Sequence, residues 1–484
     1  MNNQTADTTQ KPSLLSFSET DYASFIFSVA GFGLLMLHIS IYYMLNNVIP
    51  SQYNIAGIGR YDFYAFFFIA TFAVSACRGI YGRVNEKKIL TVGVVCMAAG
   101  SLLFPLDGPV FGVLFGLLAG VGVALMLIFW GVTFSHMDRV VAVAGIAVGY
   151  LLGVILNIGV DNLTVVYEVI GIVCGPLSAF FLLRVWNVQA KTAQLNGSQI
   201  MDEPDKEKVD PNLAIRASIA MGVFAAASIF CSFAAELDVI AVSETPGTLL
   251  TVLRVVIIAV LVAIALVLLF APNISLQSMY RIVPLLLVVS GVFYLLHQTS
   301  PLFSYLMALT GRLGFQLVFW MFSPLIAMRS KLPTDKALSL ELALYWTGYL
   351  ASLFTVRTVW AGHAIAHDES IGILVLVSVS AMLLAYLFLF SEHELYKATL
   401  ASKLPQVTTE SLDTVITKIA KYYALSQRET EVFALLARGR ETAYIQQTLN
   451  ISAGTVSSHR QRIYRKLGIT SKGELLDVVE RFMG

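Results

Sequence analysis

Four cations crowd a short stretch near the end of the 484-residue chain: Arg460, Arg462, Arg465 and Lys466, with no acidic residue among them. Ser457, Ser458 and Gln461 stand between them and offer uncharged hydrogen-bonding groups. At helical spacing Val456, Ile463 and Leu467 share one face, and Ser457, Ser458, Gln461, Arg462 and Arg465 lie on the other side. Such cations attract phosphate, and polar side chains at the start of a helix reach base edges in a DNA major groove. From 421 to 484 there are ten basic and six acidic residues. Basic helices are common as mere solvated surface, so the charge alone does not decide the matter.

The elements that hold this stretch are legible around it. Ser426 and Glu429 form a capping box, and Val432, Leu435 and Leu436 then line one face of a helix that Gly439 ends. A second helix is predicted at about 442–449, with Ile445 and Leu449 inward. Asn450 and Ile451 make a tight connection, and Ser452 caps a third helix at about 453–467. Ser471 and Glu474 open a fourth helix carrying Leu475, Leu476 and Val479. A short helix, a tight turn and a basic second helix make up a helix-turn-helix, whose second helix enters the groove.

The residues LSQRETEVFALLARG (425–439), IQQTLNIS (445–452) and TVSSHRQRIYRKLGI (455–469) resemble the LuxR/GerE type of helix-turn-helix. The resemblance covers about 421–484. It implies that Ser457, Ser458 and Gln461 approach bases, with His459 in the same DNA-binding set. It implies that Thr455, Arg440, Arg462, Arg465 and Lys466 hold phosphates. It also implies a dimer on DNA, joined through Leu475, Leu476 and Val479. The family usually has Lys or Arg where Ser457 stands, and a polar, charged run where Glu441–Tyr444 stands.

The rest of the chain has another composition. Overall 57% of residues are hydrophobic and 13% charged, where a soluble domain carries about a quarter charged. The shortage of charge holds to about residue 391 and then ends. Twelve apolar stretches, from about 22–45 to about 369–391, are candidate membrane spans. Gly112, Gly116, Gly120 and Gly122 in the fourth would let helices approach closely. One set of loops holds Arg78, Arg83, Lys87, Lys88, Arg139, Lys191, Lys206, Lys208, Arg281, Arg329, Lys331 and Lys336. The opposite loops hold Asp107, Asp161, Glu244, Asp368 and Glu369. That asymmetry predicts both termini in the cytoplasm, in the inner membrane of a bacterium. The polar first twenty residues lack the basic-then-apolar order of a cleaved leader, so the first apolar stretch is expected to be retained.

The charged, proline-bearing segment 187–211 divides the spans six and six. This layout, with the glycine-containing basic loop GIYGRVNEKK (79–88), resembles the major facilitator superfamily. The expected fold is therefore all-α, a twelve-span bundle followed by a four-helix LuxR-type domain. Its parts are a cytoplasmic tail 1–20, a membrane domain 21–391 and a C-terminal domain 421–484. The membrane domain has halves 21–186 and 212–391 around linker 187–211, and a second linker covers 392–420, polar with a helical tendency that leaves room for a lead-in helix.

Charges at membrane depth are costly and default to a functional reading. Arg312, Arg254, Glu236, Asp238, Glu168 and Arg357 are the candidates, with Arg312 deepest. The functional reading is a pocket for a small molecule arriving from outside, since arginine's planar fork suits carboxylate or phosphate. The alternatives are structural ion pairs that fix helix register, or residues near span ends snorkelling to the interface. Trp130, Trp320, Trp346 and Trp360 are candidate cavity-lining aromatics. Cys77, Cys96, Cys174 and Cys231 read as small packing residues, without metal or disulfide spacing. No nucleophile constellation, phosphate loop or metal spacing stands out, so neither enzyme activity nor a cofactor is expected. The expected function is a one-component transcription regulator, with double-stranded DNA, a small-molecule ligand, the lipid bilayer and a second copy as partners. The alternatives are a transporter with a regulatory tail and a passively anchored DNA-binding protein.

Overall fold

The computed structural model describes residues 19–48, 60–80, 86–106, 108–160, 164–195, 211–242, 247–270, 278–295, 301–330, 332–362, 369–390, 412–437, 442–469, 474–475 and 478. Every regular element among them is helical, and the chain divides into two compact units, Met1–Ala401 and Ser402–Gly484.

Six helices make the first half of the first unit: α1 (Glu19–Val48), α2 (Arg60–Arg78), α3 (Glu86–Leu103), α4 (Pro109–Ser135), α5 (Arg139–Val160) and α6 (Thr164–Leu195). The second half has α7 (Pro211–Val242), α8 (Gly247–Phe270), α9 (Ser278–Leu295), α10 (Pro301–Arg329), α11 (Thr334–Gly362) and α12 (Glu369–Leu384), the last closing in a π-helical turn at Ala385–Leu389. Seven stretches of described helix are long and apolar enough to cross a membrane, fewer than the twelve spans expected. α3, for instance, is only 18 residues long and opens on Glu86, Lys87 and Lys88. α6 also runs nine residues past the expected boundary at 186, because NVQAKTAQL contains no proline or glycine to stop it.

α4 owes its place to its glycines. A Cβ on Gly116 would lie 2.6 Å from the Tyr64 backbone nitrogen, and one on Gly122 would lie 2.6 Å from that of Met97. The backbones of α2 and α3 therefore rest directly on α4. α1 packs on α5 and α6, and α7 on α10 and α11. The halves meet where α2 packs on α11 and α5 on α8. At the end of α2 the Ile80 N–H donates to Asp335 Oδ2 at 2.6 Å, and Lys336 Nζ donates to the Cys77 carbonyl at 3.1 Å. Gly79 makes that junction possible: its φ is +74°, and a Cβ there would meet the Lys336 side chain at 3.0 Å.

The second unit holds α13 (Leu412–Tyr422), α14 (Gln427–Ala437), α15 (Thr442–Leu449) and α16 (Ala453–Leu467), with Glu474, Leu475 and Val478 also helical. One core joins them through Ile416, Ile419, Val432, Phe433, Leu436, Ile445, Val456, Ile463, Leu467, Leu475 and Val478. Residues 412–420 were expected to be linker or a lead-in helix, and the helix forms. The structure gives them to this core, because Ile416, Ile419 and Ala420 recur at helical spacing and are buried there.

Candidate functional site

The first site is the outer face of α16. Ser452 caps the helix, its hydroxyl accepting the Thr455 N–H at 3.2 Å, and Gly468 ends it in the left-handed conformation at φ 69°. Val456, Ile463 and Leu467 are buried, as their spacing requires. Thr455, Ser458, Gln461, Arg462 and Arg465 are exposed, and their spacing of three, three, one and three residues sets them on one face. Ser457, His459 and Arg460 flank that face and are half-buried. The result is a strip of hydroxyls and amide at the start of the helix and guanidinium groups toward its end. Arg440 lies outside the described residues.

Two members of the expected set have other work. Lys466 Nζ donates to Glu429 Oε2 at 2.7 Å and to the Ala424 carbonyl at 2.8 Å. These bonds tie it to the start of α14, while its side chain stays 37% exposed. Glu429 in turn accepts the Ser426 N–H at 2.8 Å, which closes the capping box. Lys466 beside it, together with the Ser426 N–H, holds the Glu429 carboxyl down at about 2. This three-residue cluster fixes the end of α16 to the start of α14. Leu475, expected at a dimer contact, is fully buried in the domain's own core. Its helix turns that side inward, and Leu476 and Val479 fall where side chains are not described. Asn450, between α15 and α16, takes φ 52°, a conformation asparagine tolerates better than most residues.

The second site lies within the first unit, between its halves. A cavity of about 110 Å³ is bounded by α1 and α5 from one half and by α7, α8, α10 and α11 from the other. Arg254 and Arg312 both line it. Arg254 pairs with Glu236 at 2.5 Å. Arg312 is only 7% exposed, and its Nε and Nη1 have no hydrogen-bond partner. Its guanidinium lies 5.5 Å from the centroid of the Phe233 ring. The other expected pocket members, Asp238, Glu168 and Arg357, have side chains outside the described set. Trp320 and Trp346 line the cavity, whereas Trp130 is buried elsewhere and donates its indole N–H to Ser178 Oγ at 2.9 Å.

Several lining residues were missed in the sequence. Gln316 stands one helical turn beyond Arg312, and Tyr345 and Tyr349, on either side of Trp346, are one turn apart. That signal was available around Arg312. Tyr150 and Asn157 come from the other half, and no local spacing links them to Arg312.

Residues 423–479 match the family described as bacterial regulatory proteins, luxR family. The chain is 46% identical over 57 residues to the transcriptional activator protein ExaE of Pseudomonas putida, covering 12% of this chain and 27% of that protein. It is 44% identical over 57 residues to the transcriptional regulatory protein TdiR of Thauera aromatica, covering 12% of this chain and 25% of that protein. The chain thus spans about a quarter of the length of the curated relatives it matches. Its C-terminal part carries a luxR-family domain, as the sequence pattern implied. The remainder is similar in fold to crystal structures of a bacterial homologue of the iron transporter ferroportin in an outward-facing state. One has a TM-score of 0.50 at 13% identity over 79% of this chain and 99% of that one. The same homologue with soaked iron gives 0.52 at 13% identity over 78% of this chain and 99% of that one. That likeness establishes a transporter-like helical fold for the membrane-type unit.

Proposed function

We propose that the chain is a membrane-bound one-component transcription regulator. A small molecule binds the inter-half cavity and biases the arrangement of the twelve-span body. That bias alters how paired C-terminal domains meet promoter DNA on the cytoplasmic side of a bacterial inner membrane. Ser457, Ser458 and Gln461 read bases, while Thr455, Arg462, Arg465 and Arg440 hold phosphates. No catalytic step is part of this reading. The observation that carries it is the luxR-family match at 423–479, joined in one chain to a transporter-like unit. A ligand shifts such a system only by its differential affinity for the two states, so the cavity must change shape or closure between them.

The test is a promoter reporter in cells. Arg462→Ala and Arg465→Ala should abolish the response while the protein still enters the membrane. Arg312→Gln should change the ligand response and leave promoter binding by the full chain without ligand intact. A normal response from all three variants contradicts the proposal.

A second reading is a transporter with a regulatory tail. The cavity between two halves and the fold of the solved relatives favour it. It requires flux of the cavity's ligand across the membrane that depends on Arg312. Vesicles that hold the full chain and take up none of that ligand would remove it.

A further inference from the structure

The cavity's charge balance narrows what it takes. Arg254 is neutralised by Glu236 at 2.5 Å. Arg312 is over nine-tenths buried, lines the cavity and has two guanidinium nitrogens without a hydrogen-bond partner. Among the described residues the site therefore carries one uncompensated positive charge. A buried guanidinium left that way is costly, and an anion seated against it removes the cost. A guanidinium favours a charged oxygen as its acceptor.

The remaining wall is aromatic. Trp320, Tyr345 and Trp346 line the cavity, and the indole nitrogens of both tryptophans lack partners. A compact inorganic anion would leave that apolar wall unfilled. A volume of about 110 Å³ is near that of engineered apolar cavities that admit benzene, roughly 150 Å³. Among the described residues no cluster of three or more His, Cys, Asp or Glu side chains stands ready for a metal ion. A free arginine at the centre repels a cation.

We propose that the cavity binds a small monoanionic carboxylate with a single flat apolar ring, its carboxylate against Arg312 and its ring against Trp320 and Trp346. This assignment rests on the cavity being the sensing site of the proposed regulator. It extends that reading to the ligand's class.

The experiment measures thermal protection and tryptophan quenching of the full chain in nanodiscs. The probes are benzoate, phenylacetate, benzamide, benzylamine, inorganic phosphate and Fe²⁺. The expected result is saturable binding of benzoate or phenylacetate, with benzamide at least about tenfold weaker, as loss of a charge-assisted bond predicts. Benzylamine, phosphate and Fe²⁺ should not compete. In Arg312→Gln the preference for benzoate over benzamide should vanish, and Arg312→Lys should restore part of it. The wild-type comparison of benzoate with benzamide needs no variant to fold. Equal binding of the two, or competition by phosphate or Fe²⁺, overturns the assignment. So does failure of both aryl acids to bind a chain whose promoter response to some other molecule is intact, and that result spares the regulator reading. Aryl-acid binding that leaves promoter occupancy unchanged supports the assignment and sinks the regulator reading.

Discussion

Replacing Glu429 by glutamine should weaken the C-terminal domain in a pH-dependent way. Its carboxylate accepts from Lys466 Nζ at 2.7 Å and from the Ser426 N–H at 2.8 Å, and its side chain is 6% exposed. Those partners lower its pKa from 4.5 to about 2. Taken whole, such a shift corresponds to ~3 kcal/mol at neutral pH. Lys466 is 37% exposed, and solvent screens its charge, so about 1–2 kcal/mol is the expected contribution. The sign follows from the direction of the shift. The folded-state value is depressed, so the stabilisation is fully present above about 4.5 and disappears as the pH falls through about 2. The assay is urea unfolding of residues 402–484, wild type and Glu429→Gln, followed by circular dichroism at several pH values between 7 and 2. The difference between the two proteins should be about 1–2 kcal/mol at pH 7 and should shrink steadily below pH 4.5. A difference near zero at pH 7, or one that stays constant to pH 2, would mean that the ionised Glu429 carboxylate does not stabilise the domain.

Ala424 takes φ 47°, so Ala424→Gly should stabilise the same fragment by about 1 kcal/mol, read from the same urea transitions. Asn450→Val, at φ 52°, should destabilise it by at least as much, because a β-branched residue resists that conformation. Arg462→Ala should weaken DNA binding and make the slope of log affinity against log salt shallower by about 1, measured by fluorescence anisotropy on promoter and random DNA. Gly116→Val should push α2 off α4, since even a Cβ there lies 2.6 Å from a backbone nitrogen. A cost of about 1–3 kcal/mol or more is expected, seen as lost monodispersity of the full chain in detergent.

Periodic patterns carried most of the fold. Capping at Ser426 and Ser452 and the inward sets on α14 and α16 fall where spacing put them, because each is decided within a few residues of chain. The glycines of α4 likewise announced a close approach, although not which helices would make it. What escaped were facts about distant residues. Lys466 sits among the basic residues of α16, and its pairing with Glu429 appears only once α14 is packed against it. Leu475 has the look of an exposed anchor until the core behind it is assembled. Arg254 and Arg312 were legible as costly charges. Both line the cavity, but Arg254 is paired with Glu236 while two nitrogens of Arg312 have no partner, a difference that depends on packing between helices that the sequence does not order. Tyr150 and Asn157 reach the same cavity from the opposite half for that reason.

On the function proposed above, the membrane-type unit and the luxR-family domain act as one switch. Its most direct measurement maps chromosomal occupancy of the full-length chain by crosslinking and sequencing. Three strains are compared: the native protein, one with residues 19–390 exchanged for an unrelated membrane anchor, and one with Arg462 and Arg465 replaced by alanine. Discrete promoter sites should respond to the cavity's ligand in the first strain, stay occupied without responding in the second, and disappear in the third. Ligand-dependent occupancy that survives the exchange of the membrane unit would contradict it.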